Sequence, residues 1–244
     1  MDVFRALLHD SPAPGPAPDV AAHRALLDRP EAWAVGPLVV GDERLAGLDG
    51  DVALSVVTSG GAGGVAALAR RADGLRLVAV ETVLRDLDDL AGNAARVVTA
   101  AGELPDGALV LVGLPAGAGL VDAVEVVEAA GLQGRLDLSA HRGAAEQMSV
   151  LVEADLGFKV TGLNAETFGP YGVVAVLMAV EALVDGAEAE DAEQLLVEPD
   201  EARSRLALAA WDEALQGRVR RRLLGVDCDD VASTLDRLGG AGLL

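Results

Sequence analysis

Short β-branched runs alternate with Ala-rich segments along most of this chain, and this alternation is what most limits how it can fold. The runs are short and almost continuously apolar, which is typical of parallel strands buried under helices. Ala-rich segments between most of them predict those helices. Only the connection 42–51 is too short for a full helix. The strand candidates are 37–41, 52–58, 75–81, 108–114, 134–140 and 157–163, with weaker ones at 194–198 and 220–226.

Eight strand candidates within 244 residues favour a single-domain (β/α)8 TIM barrel. A doubly wound sheet is the alternative. Upstream, the prolines of 11–18 separate a short N-terminal helix from a second one at about 19–28. We therefore predict an N-terminal helical extension with a Pro-rich linker over 1–30, and a barrel domain over 31–244.

The amino-acid composition limits the classes of molecule that this chain can bind. A net charge of −20 repels nucleic acids and anionic lipid, and six aromatic residues are too few for base stacking. The longest apolar run, 171–180, is too short to cross a bilayer, and the N-terminus lacks the pattern of a signal peptide, so we expect a cytoplasmic protein. One cysteine and three scattered histidines predict no disulfide and no metal or other cofactor. With these classes of partner excluded, we expect a small carbonyl compound or a small anion as substrate. The composition is also compatible with a homo-oligomer.

Lys159 is the only lysine of the chain, and it lies in the sixth strand candidate. The period-two alternation of a strand directs Lys159 and Thr161 into the barrel. On the fifth candidate the same alternation directs Arg135 and Asp137 inward, and the third candidate ends at Glu81. The sequence therefore predicts that these charged side chains gather inside the barrel, near the carboxyl ends of the strands, where barrel enzymes have their active sites.

A lysine among such groups suggests Schiff-base chemistry. The amine attacks a carbonyl only when it is neutral, and burial together with the Arg135 charge would lower its pKa. Lys159 would be the nucleophile of an aldolase-like lyase, and Asp137 or Glu81 would transfer protons. The alternative is a barrel without catalysis, in which Lys159 and Asp137 form a structural ion pair and the protein binds a small ligand or serves in assembly.

Further substrate contacts are expected around this centre. Arg135 would steer an anionic group of the substrate. Thr161, Asn164 and His141 lie on or just beyond the strand ends and are the other candidate substrate-binding residues.

A glycine-rich loop gives a second alternative. Gly61, Gly63 and Ala66 fit G-x-G-x-x-G/A after a strand candidate, and Glu81 follows Gly61 by 20 residues at the end of the next one. That context is typical of a Rossmann-type nucleotide binder. The competing interpretation is a glycine turn in an Ala/Gly-rich chain.

The chain resembles a group of uncharacterised actinobacterial proteins with a barrel-like pattern and an F-K-A-T-A-G-L-H-H-P motif. "FKVTGLNAE" at 158–166 is similar to that motif, with Asn164 and Ala165 where the family has paired histidines, and "RLDLSA" at 135–140 is similar to the family's K-L-R-x-G-G strand. "FKVTG" is also similar, more distantly, to F-I-K-T-S-T-G of class I aldolases such as deoxyribose-phosphate aldolase. That resemblance implies a Schiff-base lyase with Lys159 as nucleophile on a sixth barrel strand.

Overall fold

Eight parallel strands close into a barrel in the computed structural model, which describes residues 2–12, 19–48, 50–139 and 143–244. Each strand pairs with its neighbours in chain order, and β1 closes the sheet against β8. The strands are β1 (Leu8–Asp10), β2 (Val35–Gly41), β3 (Ala53–Val57), β4 (Arg76–Val83), β5 (Leu109–Gly113), β6 (Gln133–Asp137), β7 (Phe158–Thr161) and β8 (Leu223–Cys228). The predicted barrel is confirmed, and the doubly wound alternative is wrong.

Helices cover the outside of the barrel. They are α1 (Val20–Leu27), α2 (Gly61–Ala69), α3 (Leu90–Ala101), α4 (Leu120–Ala129), α5 (Ala144–Glu153), α6 (Val173–Val184), α7 (Ala189–Val197), α8 (Glu201–Ala210), α9 (Glu213–Arg222) and α10 (Val231–Gly240). As the short connection predicts, β2 and β3 are joined without an α-helix, and a 3₁₀ turn at Asp42–Arg44 takes its place. No helix in the described part of the chain is both long and apolar enough to cross a membrane.

The first barrel strand lies where a helical extension is predicted. Residues 2–4 form a 3₁₀ turn, and β1 follows at Leu8–Asp10, hydrogen-bonded between β2 and β8. Residues 1–30 are therefore not a purely helical extension outside the barrel, although the second predicted helix is present as α1. A strand of three residues is too short to show an alternating pattern. Most of the Pro-rich linker, 13–18, lies outside the described residues.

The weak strand candidate at 194–198 is wrong. It falls largely within α7, where Ala192 and Leu196 are buried at the i, i+4 spacing of a helix face. One strand, β1, is thus added before the predicted set, and the seventh of the eight candidates is removed from it. Lys159 consequently lies on the seventh barrel strand, so the agreement in strand number with class I aldolases does not hold.

Side-chain alternation separates the helix-facing core from the barrel interior. On β7, Phe158 and Val160 are fully buried in the core shared with the helices, as predicted. The apolar run at 171–180 is explained by α6, which packs against α5, α7, α8, α9 and β8 and is buried on almost every side. Lys159, between Phe158 and Val160, is left facing the interior.

Candidate functional site

Lys159 is fully buried inside the barrel and paired with two carboxylates. Its ammonium contacts Glu81 of β4 and lies 2.5 Å from Oδ1 of Asp227 on β8. Neither Lys159 nor Glu81 has any exposed side-chain surface. Buried charges are retained in proteins when they are paired in this way.

Glu81 joins Lys159 to a second cation. Arg135 lies opposite Lys159 in the pairing of β6 with β7, and its Nε is 2.9 Å from Oε2 of Glu81. This contact is an ion pair by distance, without the alignment of a hydrogen bond. The hydroxyl of Ser55 on β3 donates to Oε1 of Glu81 at 2.6 Å. We call Arg135, Glu81, Lys159 and Asp227 the charge cluster; it holds two cations and two carboxyl groups.

The two carboxyl groups of the charge cluster differ in proton affinity. Burial opposes the charged form of Glu81, but Lys159 and Arg135 outweigh it, so the pKa of Glu81 lies below its ordinary value. Burial raises the pKa of Asp227 to about 6, the Glu81 charge adds to the rise, and Lys159 opposes it. Asp227 is therefore the carboxyl group of the cluster that changes charge near neutral pH.

His9 of β1 packs beside the charge cluster. Its ring lies against Gly36 and Gly225, where a Cβ would come within 2.4 and 2.2 Å of ring atoms. Burial lowers the pKa of His9 well below 6.5, and the charges of Lys159 and Arg220 lower it further, so the imidazole is neutral at pH 7. Its Nδ1 has no hydrogen-bond partner in the described part of the chain.

A cleft opens at the carboxyl ends of β4, β5 and β6, with a volume of about 310 Å³. We call it the β4–β6 cleft. Arg135 and Asp137 line it together with Gly113, Leu114 and Ser139. Arg135 keeps 17% of its side chain exposed here, although its inner nitrogen contacts Glu81. The cleft therefore reaches the charge cluster from one side.

A smaller cleft of about 130 Å³ lies between the carboxyl ends of β7 and β8, and we call it the β7–β8 cleft. Asp227 lines it, and so do Asn164 and Thr167 of the loop after β7. The side chain of Asp227 is 11% exposed, which gives the charge cluster its contact with this second cleft.

Three predicted site residues come together, and the others do not join them. Lys159, Glu81 and Arg135 form one cluster, as the alternation predicts. Asp137 is the last residue of β6, is exposed, and accepts a hydrogen bond of 2.9 Å from the Ser139 amide. The predicted Lys159–Asp137 ion pair is therefore wrong, because Asp227 and Glu81 hold the lysine instead.

The remaining candidates have separate surroundings. Thr161 is buried, and its hydroxyl donates to the Leu136 carbonyl oxygen at 3.4 Å. Asn164 is exposed and donates its side-chain amide to the Pro170 carbonyl oxygen at 2.7 Å. His141 lies outside the described residues.

Sequence reasoning missed Asp227, Ser55 and His9. Asp227 follows directly after the predicted strand 220–226, so extending the alternation by one residue would have found it. Ser55 lies within a recognised strand, and its inward position follows from the same alternation. His9 belongs to β1, which the sequence pattern does not reveal.

The glycine loop does not belong to a Rossmann fold. Gly61 begins α2 with a φ of 59°, and a Cβ on Gly60 would come within 2.8 Å of Gly64 Cα, so the glycines allow a tight turn into the helix. Glu81, the acidic residue of the apparent fingerprint, points into the barrel and binds Lys159.

No cluster of metal-ligating side chains occurs within the described residues. Cys228 faces the core shared with the helices, and burial together with the nearby Asp227 raises its pKa to about 12. The thiol is therefore protonated and unreactive at neutral pH.

Comparisons with known proteins add little to this description. No protein-family model and no curated protein matches the sequence. Among solved structures, Yersinia pestis DHPS with a pterine-sulfa conjugate aligns over 99% of this chain and 94% of its own, with 16% identity and a TM-score of 0.44. At that level of similarity, the assignment of the (β/α)8 barrel rests on the strand pairing described above.

Proposed function

We propose that this barrel binds a small anionic ligand in the β4–β6 cleft and that Arg135 recognises the anionic group. One observation carries the proposal. The inner nitrogen of Arg135 contacts buried Glu81, while 17% of its side chain stays exposed at the cleft and no other carboxylate among the described residues pairs with it. A guanidinium held in this way presents its outer N–H groups to a carboxylate or phosphate.

The dimensions and position of the cleft agree with this proposal. A volume of about 310 Å³ is at the small end of ligand pockets, and the carboxyl ends of barrel strands are where barrel proteins bind their substrates. The net charge of −20 disfavours anions at long range. A local cation such as Arg135 is therefore needed to hold one.

In this proposal Lys159 is a structural member of the charge cluster. Its ammonium is fully buried between Glu81 and Asp227, and it stabilises the carboxylate on which Arg135 is anchored. Lys159 acts on the ligand only through Glu81 and Arg135, so it is a positioning residue.

The test is ligand binding by wild type and Arg135→Gln. Calorimetric titration with acetate, pyruvate, succinate and inorganic phosphate should find at least one that binds wild type and binds Arg135→Gln at least tenfold more weakly. Arg218→Gln is the matched control, because it removes one surface arginine that pairs with Asp185 and should leave affinity unchanged. If none of the four anions binds, or if Arg135→Gln binds them as tightly as wild type, the proposal fails.

The predicted aldolase-like lyase is a second candidate, favoured by one observation. Asp227, whose pKa is raised to about 6, lies 2.5 Å from the lysine amine and could carry protons to and from it. The similarity of "FKVTG" to class I aldolases adds support. This reaction requires Lys159 to leave its carboxylate partners and become exposed, so that the neutral amine can attack a carbonyl.

Borohydride trapping tests the lyase directly. The protein is incubated with aldehydes, ketones and 2-oxo acids, reduced, and weighed intact, with peptide mapping to locate the adduct. Because Lys159 is the only lysine, the α-amino group alone competes. An adduct on residue 159 that is absent in Lys159→Met would support the lyase. Adducts confined to the α-amino group would exclude it for the compounds tried.

A further inference from the structure

The charge cluster extends across the barrel from one cleft to the other. Arg135 borders the β4–β6 cleft with 17% of its side chain exposed, and Asp227 borders the β7–β8 cleft with 11% exposed. Glu81 and Lys159 between them are fully buried and connect the two by ion pairs. A change of charge at one end should therefore change the electrostatic energy at the other end, because the residues between them are buried and poorly screened.

We infer that the two clefts are coupled: an anion bound at Arg135 promotes proton uptake at Asp227, and the proton is delivered from solvent through the β7–β8 cleft. This inference rests on the proposed function, because it concerns the regulation of the same Arg135 site by pH. The proton adds to the Asp227 carboxylate, no other covalent bond changes, and the net charge of the cluster and ligand together is restored.

Charge balance is the physical reason. The charge cluster contains two cations and two carboxyl groups, so a bound carboxylate adds an uncompensated negative charge close to Glu81. An uncompensated charge in a buried site is costly, and protonation of a carboxylate removes that cost. The anion also offsets part of the positive charge of Arg135 that Glu81 experiences. Glu81 then attracts Lys159 more strongly, and the negative charge of Asp227 is less well compensated by Lys159.

Asp227 accepts the proton more readily than Glu81 does. Glu81 has two cationic partners and a hydrogen bond from Ser55, which keep it ionised. Among the residues that the structure describes, Asp227 has one cation at ion-pair distance, namely Lys159. Burial raises its pKa to about 6, and its side chain reaches the β7–β8 cleft, from which water can deliver the proton.

No other charged group described around Asp227 would compensate its negative charge once an anion neutralises Arg135. His9 of the adjacent β1 is neutral at pH 7, and Asp229 and Asp230 of the following loop are acidic and favour protonation of Asp227. Arg237 of α10 lines the same cleft, but it is exposed, so solvent screens its charge.

The coupling can be measured without any ligand. Asp227 is titrated by NMR of carboxyl-¹³C-labelled aspartate in wild type and in Arg135→Gln, with Asp227→Asn to assign its signal. Loss of the Arg135 charge should raise the proton affinity of Asp227 by roughly tenfold, the size of effect that one nearby charge has on a buried carboxyl. Arg218→Gln, the surface control, should leave the titration unchanged. Equal titrations in wild type and Arg135→Gln would overturn the inference.

A ligand experiment provides a second arm and separates the two proposals. Acetate binding to wild type is measured at pH 7 in buffers of different ionisation enthalpy, which reports the number of protons taken up. We expect uptake of a little under half a proton in wild type, which follows from a tenfold rise in proton affinity at a carboxyl group whose pKa is about 6, and none in Asp227→Asn. Acetate binding without proton uptake would overturn the coupling alone. Failure of all four anions to bind, with the Asp227 titration still shifted in Arg135→Gln, would overturn the proposed function and leave the electrostatic link standing.

If Arg135→Gln does not fold, Arg135→Met keeps the aliphatic stem and takes its place.

Discussion

At the scale of single residues, Lys159 shows why a buried ammonium needs more than one carboxylate. Burying a charge costs several kcal/mol, and an ion pair repays this only when its geometry and additional partners are good. Lys159 has both Glu81 and Asp227, and Glu81 is in turn held by Arg135 and Ser55. The scarcity of lysine in this chain therefore does not make Lys159 dispensable.

Removal of the lysine charge should destabilise the fold strongly. We expect Lys159→Met to lower the free energy of unfolding by about 3–5 kcal/mol, because Glu81 and Asp227 would face each other across the site without their shared cation. Denaturant unfolding measures the loss. Lys159→Met combined with Asp227→Asn should recover part of it, since Glu81 keeps Arg135. A loss below about 1 kcal/mol in the single variant would mean that the cluster does not depend on Lys159.

Asp227 should make the fold less stable as the pH rises. Its pKa is about 6 in the folded chain and 3.8 as an ordinary aspartate, so the folded state binds more protons between these values. The free energy of unfolding of wild type, relative to Asp227→Asn, should therefore fall by roughly 2 kcal/mol between about pH 4 and pH 7. Denaturant unfolding of both proteins across this pH range tests the sign of this change in unfolding free energy. A difference that stays flat or grows with pH would contradict the buried position of Asp227.

At the scale of elements, the sequence pattern reveals most of the barrel and part of the site. Alternation on β6 and β7 correctly directs Arg135 and Lys159 inward, because an interior strand has one side on the helices and the other in the barrel. The same rule fails for Asp137, which stands where the strand ends and solvent begins. The rule also gives no help with β1, whose residues Leu8–Asp10 are too few to show a period.

Closure of the barrel depends on two glycines that make room for His9. We expect Gly225→Ala to destabilise the fold by about 1–3 kcal/mol, because its Cβ would lie 2.2 Å from Nε2 of His9 between β8 and β1. The loss should shrink when the change is made in a His9→Ala background. Gly63→Ala is the matched control: it has no neighbour within 4 Å, lies within α2, and should be neutral or slightly stabilising. Equal effects of the two alanines, measured by denaturant unfolding, would argue against the tight contact of His9.

At the scale of the whole molecule, the barrel separates a charged interior from an apolar layer under the helices. Strand alternation produces both, with Phe158 and Val160 on one side of β7 and Lys159 on the other. The charge cluster is closed to solvent except at Arg135 and Asp227, and these two residues border the two clefts. Lys159 is therefore inaccessible to solvent, while Arg135 and Asp227 are partly accessible.

Amine labelling measures that inaccessibility most directly. Acetic anhydride forms stable amides only at the α-amino group and Lys159, because the chain has a single lysine. Hydroxylamine treatment removes any ester on Tyr171, so the mass of the intact protein then reports both amines. We predict one acetyl group on the native protein, at the α-amino group, and a second only after denaturation. Acylation of Lys159 in the native protein at a rate similar to that of the α-amino group would contradict the buried charge cluster.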